Sequence, residues 1–274
     1  MRDRQLEPKP HALSGRIENL RQARREARER FLAGRKAESQ YGSQLRKVAA
    51  QIDDIVRGIA PDGILADPER LMDMLNRYAD ILEPWAESVA SRMISDVSRR
   101  DAAAWEKHGQ IIGRALRREI DTAPTGAAMR ATLAEQVKYI TKIPRDAALR
   151  VHKLTIEALP KGIRASEIAA EIMRSGDVSR SDAMRLSRTG VSATATAMTK
   201  ARAQHVGSEG YIWRTSRDGD VRPSHKKMEG TFVRWDSPPT LDGFTGHCGE
   251  SANCRCFPEV QIPDAFGTRG ASAA

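Results

Sequence analysis

Apolar residues recur every third or fourth position over most of this chain, and every second position only near its C-terminal end. From Arg16 to Ala60 the residues Tyr41, Leu45, Val48, Ile52, Ile55 and Ile59 follow the first pattern, which predicts one long amphipathic helix stopped by Pro61, Asp62 and Gly63. Its first half, RQARREARERF, is charged on nearly every face and predicts a solvated or partner-bound arm. Asp67 before Pro68 predicts an N-cap and first turn. Leu71, Leu75, Tyr78, Leu82, Trp85, Val89, Met93 and Val97 carry the stripe on, with Pro84 expected to kink or divide the helix.

Further helices are predicted from Trp105 to Ile120, Met129 to Ile140 and Ala147 to Leu159, with breaks near Pro124 and at Pro144 and Pro160. Ser166 and Glu167 predict a short helix through Ile168 and Met173 that ends at Gly176 and Asp177. Ser179 or Ser181 is expected to cap the next helix, which carries Met184 and Leu186. The alanine-rich GVSATATAMTKARAQHVG then places Val191, Ala195, Met198 and Ala201 at helical spacing. No internal repeat of fixed period is present.

Beyond Gly207 the alternating runs YIWRTS (211 to 216) and TFVRW (231 to 235), set between turn-forming residues, predict strands. The expected class is α+β: a predominantly helical N-terminal region followed by a small domain of helices and a short antiparallel sheet. Expected segments are a basic helical arm (1–60), a helical region (61–154), a compact C-terminal domain (155–262) and a disordered tail (263–274).

A 274-residue chain with 40% hydrophobic and 5% aromatic residues suits a helical protein better than a β-sandwich. No apolar run is long enough to span a bilayer, and the start, MRDRQLEPKPHALSG, has charges and prolines where a signal peptide is apolar. The expectation is a protein made in the cytoplasm with no membrane partner.

The net charge of +9 is unevenly placed, because residues 1–50 hold 13 Lys/Arg against 6 Asp/Glu. Arg21, Arg24, Arg25, Arg28, Arg30, Arg35 and Lys36 are therefore candidates for contact with an acidic protein surface or with DNA phosphates. Glutamates interleaved as in ArgArgGluAlaArgGluArg favour pairing within the helix and tilt the balance toward protein docking.

All three cysteines fall within HCGESANCRC, 247 to 256. Their odd number, with no export signal, argues against a disulfide framework. His225, Cys248, Cys254 and Cys256 could supply four zinc ligands from two loops. CysXaaCys is a tight chelate, however, and packed thiols are the preferred reading, with zinc as the alternative and no cofactor expected. Asp218, Arg222 and His225 can be read as acid, clamp and base, but an aspartate in ArgAspGlyAsp more often caps a turn and pairs with a nearby arginine. Trp213, Phe232 and Trp235 are expected in the core rather than as base-stacking platforms. The chain holds neither a GlyXaaSerXaaGly elbow nor a GlyLysSer/Thr phosphate loop, and no catalytic residue is assigned.

The succession LSRTG (186 to 190), WRTSRDGDVRPSHKKMEG (213 to 230), SPP (237 to 239) and NCRC (253 to 256) resembles the phage Mu protein F-like family of minor head, or head morphogenesis, proteins. The likeness runs from about 155 to 260. It implies a minor capsid protein of a tailed bacteriophage or prophage, located in the virion at the portal vertex and supporting head assembly, DNA packaging or DNA delivery. Implied partners are the portal protein, then scaffold or major capsid protein, and packaged DNA through the arm. Trp213, Asp218, Arg222, His225 and Gly230 would form its structural loop motif. Family members that look metal-binding carry a CysXaaXaaCys pair where this chain has Arg222 to His225, so only part of that set is retained.

Three other readings compete with this one. Arg188 with Thr215 and Ser216 loosely resembles elements of an ADP-ribosyltransferase, but its GluXaaGlu pair is absent and Glu250 is a poor substitute. A metal-assisted hydrolase and a zinc-stabilised nucleic-acid-binding module are the others.

Overall fold

The computed structural model describes residues 10–60, 67–112, 123–161 and 170–263. Helix α1 (Pro10–Ile59) buries Tyr41, Leu45, Val48 and Ile52 as the periodicity predicts, while Ile55 and Ile59 are half-buried and Val56, outside the predicted stripe, completes the buried face. Asp67 caps α2 (Pro68–Ile81) by accepting the Arg70 N–H at 2.9 Å. The chain then divides at Leu82, and α3 (Glu83–Ile112) starts with Pro84 in its first turn, where proline costs nothing. Helices α4 (Thr125–Lys161) and α5 (Ser175–His205) complete a bundle around one core that joins Leu45, Ile52, Leu75, Val89, Ile140 and Val191.

Several predicted breaks are absent. Trp105 does not start a helix but lies well inside α3. The stripe fades before it because the buried positions there are polar, Ser98 and Asp101. The predicted end of that helix, 113 to 120, lies outside the described residues. Pro144 and Pro160 both lie within α4. A mid-helix proline costs about 3 kcal/mol, and Ile140, Ile143, Ala147, Ala148 and Val151, all buried around Pro144, supply packing to offset it.

Gly176 and Asp177 open α5 rather than ending the preceding helix, of which residues 170–173 are described. Arg174 occupies the N-cap position without a side-chain bond, so neither Ser179 nor Ser181 caps. Glycine is needed at 176 because a Cβ would lie 2.5 Å from the Asp53 carboxylate of α1. The helices predicted on either side of Gly190 are one helix, and α4 runs straight through residue 155, where a boundary was expected.

After α5 come β1 (Gly210–Arg214), α6 (Pro223–Lys227), β2 (Phe232–Arg234), β3 (Thr240–Leu241), β4 (Phe244–Thr245) and β5 (Phe257–Gln261). An antiparallel sheet has the order β2-β1-β5, with Tyr211 opposite Val233 on one side and Val260 on the other. The fold is therefore mostly helical with a small region of short antiparallel strands, an α+β protein. The alternation did not reveal β5, because Pro258 interrupts it. An edge strand tolerates that proline, which sits opposite Trp213. Asp242 and Gly243, both at positive φ, make the two-residue turn between β3 and β4. A second core joins Tyr211, Trp213, Val233, Trp235 and the three cysteines to Trp105 of α3 and Ala203 of α5, which seats the sheet on the bundle. Phe232, expected in that core, is instead 48% exposed and covers Gly210.

Candidate functional site

The loop between β1 and α6 is held at its base by Glu229. Its carboxylate accepts the Thr215 N–H (2.7 Å), the Thr215 hydroxyl (2.8 Å) and the Arg217 guanidinium (3.1 Å). Burial alone would raise this carboxyl, but these donors and Arg214 hold it below its ordinary value. Gly230, at φ +84°, turns the chain so that its N–H reaches the Trp213 carbonyl at 2.9 Å.

Asp218 accepts the Asp220 N–H (3.2 Å), which makes it the turn residue expected from the sequence. Its arginine partner is Arg255, at 3.0 Å, and not Arg222. Arg222 instead reaches across to the cysteine loop, where it donates to the Ser251 hydroxyl (3.2 Å) and the Ala252 carbonyl (2.5 Å). Both arginines thus tie the two loops together.

His225 of α6 is buried, with its ring edge-on to Trp213 at 5.5 Å between centroids. Its Nδ1 lies 3.4 Å from Cys254 Sγ and 3.6 Å from Cys256 Sγ. These three are donors within 4.8 Å of one another, a soft set of the kind that suits zinc. Cys248 is not part of this group. It is fully buried under Tyr211, and its backbone N–H donates to the Tyr211 hydroxyl at 3.2 Å. The four-ligand set drawn from the sequence is therefore not assembled, and among the described residues the donors that meet number three. His247 also stays apart, with Lys200 Nζ 3.1 Å from its Nε2.

The cysteines differ in acidity. A hydrogen bond from the Cys256 thiol, helped by the N–H groups of Cys256 and Gly249, brings Cys254 down to about 5 against the effect of burial. The same bond and burial push Cys256 up, and burial pushes Cys248 up. All three are free thiols.

A polar cavity of about 270 Å³ opens over His225 and Cys254, lined also by Arg188, Asp218, Arg222 and Asn253. Three stretches distant in sequence, LSRTG, WRTSRDGDVRPSH and NCRC, meet around it. Arg188 bonds Glu38 of α1 (3.2 Å) and approaches Asn253. Glu250 does not line the cavity, because its carboxylate accepts the His247 N–H at 2.7 Å. The arginine and glutamate of the transferase reading are therefore not brought together.

Residues 149–258 match the family model described as Phage Mu protein F like protein. This segment is phage Mu protein F-like. It contains every residue around the cavity just described. A curated Haemophilus influenzae protein, itself described as uncharacterised, is 32% identical over 133 residues. That alignment covers 48% of this chain and 28% of the relative, so the chain spans little over a quarter of the protein it matches. No solved structure matches. Among the described residues no helix is long and apolar enough to cross a membrane.

The arm's side chains fall outside the Mu F-like segment. Arg24, Arg25, Arg28, Arg35 and Lys36 are exposed, whereas the side chains of Arg21 and Arg30 are not among those described. Arg24 lies 3.7 Å from Glu229, so the arm reaches the β1–α6 loop. Arg214, Arg217 and Arg255, which the sequence analysis did not single out, prove central to this region. Their signal was present as a cluster of arginines flanking the motif, but only the fold shows which of them face one another.

Proposed function

We propose that this chain is a minor capsid protein that acts at the portal vertex of a tailed phage or prophage head, in head assembly or in the packaging and delivery of DNA. The observation carrying this reading is the convergence of the Mu F-like motifs on one cavity whose polar groups are spent on loop-to-loop bonds. Arg222 and Asp218 each hold a backbone group and Thr215 is itself held by Glu229, which suits a rigid docking platform rather than a catalytic centre. No cofactor is needed for that role, since packed thiols and Trp213 already fill the core.

The partner in this reading is an acidic surface of the portal protein, met by the basic face that Lys36 of α1 forms with Arg92 of α3. Both are exposed and line an open cleft of about 540 Å³. The test is co-sedimentation of the full chain with assembled portal rings, followed by recovery of the chain in purified proheads. Reversing Lys36 and Arg92 to glutamate is expected to abolish both. Unchanged portal association of this double variant would overturn the docking face, and absence of the wild-type chain from proheads would overturn the head role.

A further inference from the structure

A second basic site lies on a neighbouring face of α1, and it is built from both halves of the chain. Arg24, Arg28 and Arg35 are four and eleven residues apart, so they fall on one helix face, turned roughly 100° from the face of Arg25 and Lys36. That face forms one wall of a cavity of about 240 Å³. The opposite wall comes from the Mu F-like segment and carries Arg214, Arg217 and Arg255. Six guanidinium groups therefore line one small cavity against two carboxylates, Asp218 and Glu229.

Neither carboxylate is free to neutralise the rest. Glu229 is shared among Thr215, Arg214, Arg217 and Arg24, and Asp218 is taken by Arg255. Arg214 is further satisfied by Glu259. Arg28 and Arg35, both exposed, have no ion pair or hydrogen bond among the described residues. With six guanidinium groups against fewer acids, the cavity keeps an excess of positive charge that attracts an anion. The guanidinium fork matches the oxygens of a phosphate group, and the Thr215 and Ser216 hydroxyls are at the same wall.

The cavity does not stop at Arg255. Ser216, Asp218 and Arg255 also line the cavity over His225, whose further arginines are Arg188 and Arg222. Arg222 bonds only neutral acceptors there. Arg188 is paired with Glu38 and Arg255 also with Asp220, so it is Arg222 that carries the positive lining past Arg255.

We propose that this arginine-lined cleft between α1 and the β1–α6 loop binds the phosphate backbone of a nucleic acid, with α1 and the Mu F-like segment contributing one wall each. Binding is by charge and is indifferent to base sequence, because the lining offers guanidinium groups and hydroxyls, and its one aromatic, Phe257, is half-buried. It is separate from portal docking, which uses the face of α1 that carries Lys36, turned roughly 100° away.

The test uses the full chain with a labelled random-sequence duplex oligonucleotide, titrated over a series of salt concentrations. Wild type is expected to bind with a steep linear fall of log K against log salt. Arg28→Ala and Arg217→Ala, one from each wall and both exposed, are each expected to weaken binding and to lower that slope by about one. Lys142→Ala, in α4 and outside the lining of this cavity, should leave both unchanged. Inorganic phosphate should compete weakly, and polyglutamate should not displace the duplex at equal charge concentration. Absence of duplex binding, loss on Arg28→Ala without loss on Arg217→Ala, or equal competition by polyglutamate would each overturn the proposal. Portal co-sedimentation of the Arg28→Ala variant separates this result from the docking reading, since it should be retained.

Discussion

Asp101 of α3 and Arg202 of α5 form an ion pair whose side chains are only 5% and 7% exposed, and the Thr199 hydroxyl donates to the same carboxylate at 2.7 Å. The pair lies where the helical bundle meets the second core, beside Ala203 and near Trp105. Desolvating two charges is costly, so the pair is better understood as fixing how α3 and α5 align than as a large net gain. Removing one partner leaves the other buried and uncompensated.

Arg202→Ala is accordingly expected to destabilise the chain by about 3–5 kcal/mol, whereas Arg99→Ala, on the exposed face of α3, should cost under about 1 kcal/mol. Urea unfolding of the two variants measures the contrast. Equal midpoints would show that the buried pair does not hold α3 to α5.

Gly190 has a different role in the same packing. A Cβ there would collide with the Gln136 side chain of α4, whose Oε1 already accepts the Tyr41 hydroxyl of α1 at 3.2 Å. Gly190→Ala improves helix propensity by about 1 kcal/mol but forces α4 and α5 apart, and a net loss of about 1–3 kcal/mol is expected from overpacking. Thermal melting decides it, because a raised midpoint would mean that the helices separate freely.

Acid stability should fall in two stages. Burial holds His247 below its ordinary 6.5 and Lys200 reinforces this, so the folded form keeps it neutral. The unfolded chain therefore binds the extra proton first, and stability declines as pH falls below about 6.5. Glu229 is held below 4.5, so its contribution is complete above that value and is lost as pH falls through the lower, folded one. Melting temperature followed from pH 8 to pH 3 should show both stages, and Glu229→Gln should remove only the more acidic one.

The three thiols should also separate by reactivity. Cys254, acidic and at the cavity wall, is expected to be alkylated by iodoacetamide at pH 7 ahead of Cys256, with the enclosed Cys248 last. Peptide mass spectrometry after limited labelling reads the order. Labelling in parallel with a chelator adds a second readout, since chelator-dependent reaction of Cys254 would show a metal held on the His225, Cys254 and Cys256 donors.

Much of the architecture was legible from local pattern. The buried face of α1, the Asp67 cap, the division before Pro84 and strands β1 and β2 all follow from spacing and capping chemistry that act over a few residues. The helical course of the chain through Pro144, Gly176 and Gly190 was not, because at each it depends on a partner far along the chain. Core packing around Ile140 and Val151 carries the helix past a proline, while Asp53 and Gln136 press on the two glycines. Helix propensity is a weak local preference, and burial against another element overrides it.

For the candidate site the division is similar. By itself the sequence determined the residue types of the Mu F-like motifs, the basic arm and the turn chemistry of Asp218 and Gly230. Only the tertiary structure decided that His225 meets Cys254 and Cys256 but not Cys248, that Asp218 pairs with Arg255, and that Arg28 faces a cavity it shares with Arg217. These are distances between residues 29 to 189 positions apart, and no local periodicity encodes them. They arise because two hydrophobic cores, joined through α3 and α5, leave the chain one way to bury both at once.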